Sequence, residues 1–160
     1  MCKALETMTT LELLRFRGRV DDVLREKDVV KGKNVLGDYT EWLVCKHLEL
    51  ERQPASTAAY DALCVPHDVR YQIKGRQSEA NTVRFSPIHK LKEHNFDVLV
   101  GIVFDNRYSV RKAIKISYEA VVNLSKYQGL TNSNFVTWTP RLMDEDGVED
   151  ISGLIRQAED

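Results

Sequence analysis

The stretch FDVLVGIVF, residues 96 to 104, constrains the fold of this chain more than any other segment. Its apolar side chains run almost unbroken over the length of a strand, which fits a central strand covered on both faces. Such a strand needs partners at its edges and layers above and below. Asp105, Asn106 and Arg107 read as a tight turn, and YSVRKAIKI then alternates as an antiparallel partner does.

The covering layers are expected to be helical. Thr9 and Glu12 have the spacing of a capping box, and Leu13, Phe16, Val20, Val23 and Leu24 recur every three or four residues, which predicts a helix from Thr9 to about Lys27. After KGKN, residues 31 to 34, a second helix is expected from about Val35 to Leu50 with a stripe of Leu36, Tyr39, Leu43, Val44 and Leu48. Asp38 and Glu41, three apart, flank that stripe. RQPASTA reads as a loop, followed by strands at about 58 to 64 and 69 to 75 around Pro66, His67 and Asp68. Ser86 and Pro87 predict a short helix to about His94, and another is expected from Tyr118 to Tyr127. NFVTWTP suggests a short strand, and DISGLIRQAED a terminal helix interrupted by Gly153. This order implies an α/β fold, a mixed central sheet flanked by helices.

Composition narrows the class. With 160 residues, 42% of them hydrophobic and 29% charged, the chain has the length and balance of one globular domain. The formal net charge of −1 means that any nucleic-acid binding has to come from a local basic face. Three cysteines without a C-x-x-C pair argue against a disulfide framework or a zinc site and fit a reducing, cytoplasmic setting. The four histidines share no ligand spacing. No stretch approaches the roughly 20 apolar residues that span a bilayer, so a soluble protein is expected.

The second hairpin strand carries the chemistry. Val69, Tyr71 and Ile73 point one way, and Arg70, Gln72 and Lys74 the other. Gln72 and Lys74 therefore address one point, with Asp61 at the mouth of the first strand and Glu41 on the preceding helix. Two carboxylates, an amide oxygen, the backbone carbonyl of Ile73 and one ammonium form the set that phosphodiester hydrolysis requires. The oxygens suit a hard divalent cation, and an ammonium beside them can orient water and offset charge. Taken singly, each residue also suits a solvated strand face, a turn or a helix flank.

A helix glutamate, an aspartate and QIK at residues 72 to 74 resemble the PD-(D/E)XK nuclease superfamily over about residues 35 to 116. Tyr60 stands where the superfamily name has proline, and Gln72 gives the Q-x-K form similar to Mrr-type enzymes. The resemblance implies a restriction-endonuclease-like αβββαβ core in a single domain, with residues 1 to 34 as a helical extension and 117 to 160 as C-terminal helices and tail. It also implies a nuclease, an endonuclease acting on DNA in restriction, repair or defence against mobile elements. Glu41, Asp61, Gln72 and the Ile73 carbonyl would bind Mg²⁺ or Mn²⁺, and Lys74 would assist the attacking water. Lys33, Arg76, Arg84 and Lys90 are expected to contact DNA, and a homodimer would bring two centres to a duplex. The alternative is a non-catalytic nucleic-acid- or protein-binding module on the same fold.

Overall fold

The computed structural model describes residues 4–54 and 59–156 and divides into two compact units, Met1–Tyr39 and Thr40–Asp160. In the first, α1 (Thr10–Glu26) begins at the expected capping box: Thr9 Oγ1 accepts the Glu12 N–H at 3.3 Å, and the Glu12 carboxylate accepts the Thr9 N–H at 2.7 Å. None of its residues is buried, including the expected apolar stripe. The helix α2 (Val35–Leu48) starts in this unit, where Asp38 Oδ2 accepts the N–H groups of Lys31 and Gly32 at 2.9 and 2.7 Å. Asp38 thus secures the loop that enters α2.

The second unit holds Leu43, Val44 and Cys45 of α2 buried, followed by β1 (Glu51–Arg52), β2 (Ala62–Cys64) and β3 (Val69–Gln77). Next come β4 (Val83–Arg84), β5 (Ile88–His89), β6 (Val98–Phe104) and β7 (Val110–Ser117). The chain continues through α3 (Tyr118–Leu124), β8 (Lys126–Gln128), β9 (Ser133–Phe135), β10 (Thr137–Trp138), β11 (Val148–Asp150) and α4 (Ser152–Arg156). The main sheet has the order β1-β2-β3-β6-β7-β11; β3 and β6 run parallel, and its other neighbours antiparallel. This is an α/β fold with a mixed central sheet.

The strand β6 lies inside that sheet, buried from Leu99 to Phe104, as its composition requires. Asp105 makes the turn after it, its Oδ1 accepting the N–H groups of Arg107 and Ser109 at 2.7 and 2.9 Å. The helix expected from Ser86 to His94 is not formed. Ile88–His89 pair instead with Asn134 and Ser133, and Leu91–Glu93 make a single 3-10 turn bounded by Lys90 and His94, both at positive φ. The helix expected to reach Tyr127 stops at Leu124, and Lys126–Gln128 pair with β9. NFVTWTP is split between β9 and β10, and the terminal helix is described for Ser152–Arg156, its expected last residues lying outside the described set. The start of the first hairpin strand near residue 58 also lies outside it, and β2 begins at Ala62.

Register assigns the faces. Arg52, Ala62 and Tyr71 are aligned across β1, β2 and β3, so they share a face with Ile73 and Gly75. That is the face on which α2 lies, because Thr40 packs against Gly75. Gln72, Lys74 and Arg76 occupy the opposite face, aligned with Leu99, Gly101 and Val103 of β6. There Phe85, Ile88, Leu91 and Phe96 from the crossover build a core with Leu99, Val103, Ile114, Ile116 and Val121.

Candidate active site

The candidate site forms where β2 leaves β3. Their pairing runs from Cys64 opposite Val69 to Ala62 opposite Tyr71, and one further bond joins the Asp61 N–H to the Tyr71 carbonyl at 2.8 Å. The Asp61 carbonyl in turn accepts the Gln53 N–H at 2.9 Å, so the backbone of Asp61 is held from both sides. Asp61 itself sits in the bend just before β2 rather than within it. Beyond this point β3 continues to Gln77 alongside β6, leaving the other edge of its second half to be filled from elsewhere.

Asp61 fills part of that edge. Its Oδ2 accepts the Ile73 N–H at 2.6 Å and a second hydrogen bond from the Gln72 amide. Alternation along a strand sends the N–H and C=O of one residue to the same edge, so the Ile73 carbonyl is directed to the edge where Asp61 stands. Burial pushes the Asp61 carboxyl above its ordinary range. The Ile73 N–H, Lys74, the Gln72 amide and Arg52 each pull it back down without overcoming that effect. Lys74 is therefore close enough to act on Asp61 and projects from the same face of β3 as Gln72. Its register partner is Gly101, where a side chain would collide with the buried ring of Phe85, so Phe85 packs directly onto β6 beside the lysine strand.

Glu41 approaches from the helix side. It follows Thr40, whose Oγ1 would lie 2.1 Å from a β-carbon on Gly75, so the glycine lets α2 settle directly onto β3. The Glu41 carboxylate is bound to Arg52, with Oε2 3.0 Å from Nε and the arginine side chain only 9% exposed. Asp61, Gln72, Ile73 and Lys74 thus come together, whereas Glu41 stands on α2 over the other face of β3 and is linked to them by Arg52, whose charge also reaches Asp61. Arg52 lies in a segment expected to be loop. The strand that carries it has two residues, so no local pattern in the sequence marks it.

The expected DNA contacts separate into three places. Arg76 and Arg84 line one groove of about 520 Å³ with Ser78, Thr82, Gln128 and Thr131, and the Arg84 guanidinium lies 4.3 Å from the Phe135 ring centre. Lys90 borders a different cleft with Tyr118, Tyr127 and Asn134, and is 3.4 Å from Glu93. Lys33 belongs to the other compact unit. His94 stacks on Tyr118 with centroids 3.7 Å apart and stands 3.5 Å from Asp97. Asp97 is also clasped by the Arg70 guanidinium at 3.0 and 2.8 Å, a pair that fixes the start of β3 against the start of β6.

Among the described residues, no three His, Cys, Asp or Glu side chains gather as a metal-binding group. The oxygens that could hold a cation are instead the Asp61 carboxylate, the Ile73 carbonyl and the Gln72 amide oxygen, with the Glu41 carboxylate reached through Arg52. Such a mixed oxygen set suits Mg²⁺, which takes one or two carboxylates and completes its shell with water and substrate oxygens. No helix among the described residues is long and apolar enough to cross a membrane. No family model matches the chain, and no curated protein matches it either.

Proposed function

We propose that the chain is a metal-dependent deoxyribonuclease of the PD-(D/E)XK kind, an endonuclease that hydrolyses DNA phosphodiesters with Mg²⁺ or Mn²⁺. What supports this reading is the Asp61 carboxylate at the open edge of β3, with Gln72, Ile73 and Lys74 around it. Asp61, the Gln72 amide oxygen, the Ile73 carbonyl and Glu41 would hold the cation. Bound there, a divalent ion supplies Lewis acidity to the phosphoryl group and offsets its added charge.

The remaining steps belong to the side chains. Lys74 orients a water molecule toward phosphorus and stabilises the negative charge that grows as the water oxygen attacks and one bridging P–O bond breaks. Asp61, fixed through its own backbone N–H and carbonyl, keeps that geometry from drifting. Phosphates leading away from the scissile bond lie along Arg76 and Arg84, two arginines of one groove. Lys90 and Lys33 are proposed as further phosphate contacts, and a second copy of the chain as the source of the second cut. Restriction, repair and defence against mobile elements are the settings such an activity serves.

The ion pair between Glu41 and Arg52 favours a second reading, a binding module that keeps the fold without cutting. Incubating purified protein with linear, circular and branched DNA in Mg²⁺, Mn²⁺ or chelator separates the two. Cleavage is expected with metal, and Lys74→Ala should lower it by about 10²–10³-fold with the melting curve unchanged. Undiminished cutting by that variant would remove Lys74 from the mechanism, and no cutting of any substrate by the unaltered protein would favour the binding module.

A further inference from the structure

Arg52 is a cation already installed beside a site whose donors suit another cation. Its guanidinium bonds Glu41 at 3.0 Å, its side chain is almost fully covered, and its charge reaches Asp61. Its position is fixed from below as well, because β1 is paired to β2 with Arg52 opposite Ala62, the residue after Asp61. Lys74 adds a second positive charge to the surroundings of Asp61. A divalent ion bound to Asp61 and Glu41 would stand within a few ångströms of the guanidinium. At such a distance, in the partly screened interior, the two positive charges repel each other strongly.

Resting on the nuclease reading, we infer that Arg52 is the resident counter-ion of the metal site, and that the guanidinium and the divalent cation are alternative partners of Glu41. The Glu41 carboxylate is then neutralised and held in place without an ion. Metal entry requires Arg52 to release Glu41, which makes affinity for the free ion low. A released guanidinium, planar and with several donors, is suited to a phosphate oxygen. DNA and metal should therefore bind more tightly together than separately, because a phosphate can take the place of the Glu41 carboxylate on Arg52.

The test is Mn²⁺ binding without DNA, followed by calorimetry and by the shift in melting temperature. Arg52→Gln removes the charge and keeps a donor for Glu41. It should bind Mn²⁺ roughly tenfold or more tighter than the unaltered protein, whereas Arg52→Lys should not. A second measurement needs no substitution: as Mg²⁺ is added to ¹⁵N-labelled protein, the Arg52 Nε–Hε resonance should move with the same midpoint as the Ile73 amide. An Ile73 amide that responds while Arg52 stays still, or an Arg52→Gln variant that binds no tighter, overturns the exchange and leaves the nuclease reading intact. If neither the Ile73 amide nor calorimetry responds to any divalent ion, the nuclease reading fails and this inference with it.

Discussion

Thr40 Oγ1 stands where a β-carbon of Gly75 would have to be, 2.1 Å from its ideal position. The contact joins α2 to β3 one residue before Glu41 and one after Lys74, so it sets the separation between the helix side and the strand side of the site. Thr40 is 1% exposed and cannot swing into solvent. Gly75→Ala should therefore destabilise the protein by about 1–3 kcal/mol through overpacking. Thermal or urea melting checks this. Combining Gly75→Ala with Thr40→Ala should cost less than the sum of the two single changes, since the second removes the atoms the first would strike.

Asp61 links stability to function with opposite signs. Burial raises its carboxyl pKa despite the Ile73 N–H, Lys74, Gln72 and Arg52, so the folded state holds this proton more tightly than the unfolded chain does. Its contribution is most favourable below the ordinary carboxylate pKa and declines as pH rises through the folded value. Asp61→Asn should accordingly melt higher than the unaltered protein at neutral pH without metal, with the difference shrinking toward acid. The same variant should lose both its stabilisation by Mn²⁺ and its cleavage activity. A variant that melts lower at neutral pH, or that still responds to Mn²⁺, would contradict this assignment.

Arg76 and Arg84 are expected to act on DNA through charge. Each of Arg76→Gln and Arg84→Gln should reduce the slope of log affinity against log salt concentration by about 0.9 for every phosphate that is no longer neutralised. Melting curves should change little for Arg76, which is exposed; Arg84 also loses its place over the Phe135 ring. Fluorescence anisotropy of a labelled duplex across a salt series measures the slope. An unchanged slope in both variants would show that the groove carries no phosphate.

What the sequence made legible was local. Thr9 and Glu12 announce the start of α1 because both halves of the cap lie within one turn. Residues 96 to 104 and 108 to 116 announce two paired strands, β6 and β7, through apolar run and alternation, and the alternation of Gln72 and Lys74 against Tyr71 and Ile73 put the strand chemistry on one face. Ser86 and Pro87 read as the start of a helix, but Phe85, Ile88 and Leu91 around them do not continue as one. They are instead buried from an irregular crossover, and Ile88 finds its backbone partner at Asn134, a pairing no local pattern encodes. Arg52 was hidden for a related reason: a strand of two residues is too short to display a period. The site's carboxylates could be named from sequence, whereas the cation that holds one of them could not.

The parallel pair of β3 and β6 obliges the intervening chain to cross from one end of the sheet to the other, and in this protein that crossing is secured by residues made much later. Val83 pairs with Trp138 and Ile88 with Asn134. During synthesis the crossover's side chains could therefore pack on β6, β7 and α3 before its backbone found partners, because residues 133 to 138 emerge later. A chain stopped after α3 would keep Gln72 and Lys74 but leave the crossover between β3 and β6 without its backbone partners, which ties the β3 edge to residues 133 to 138.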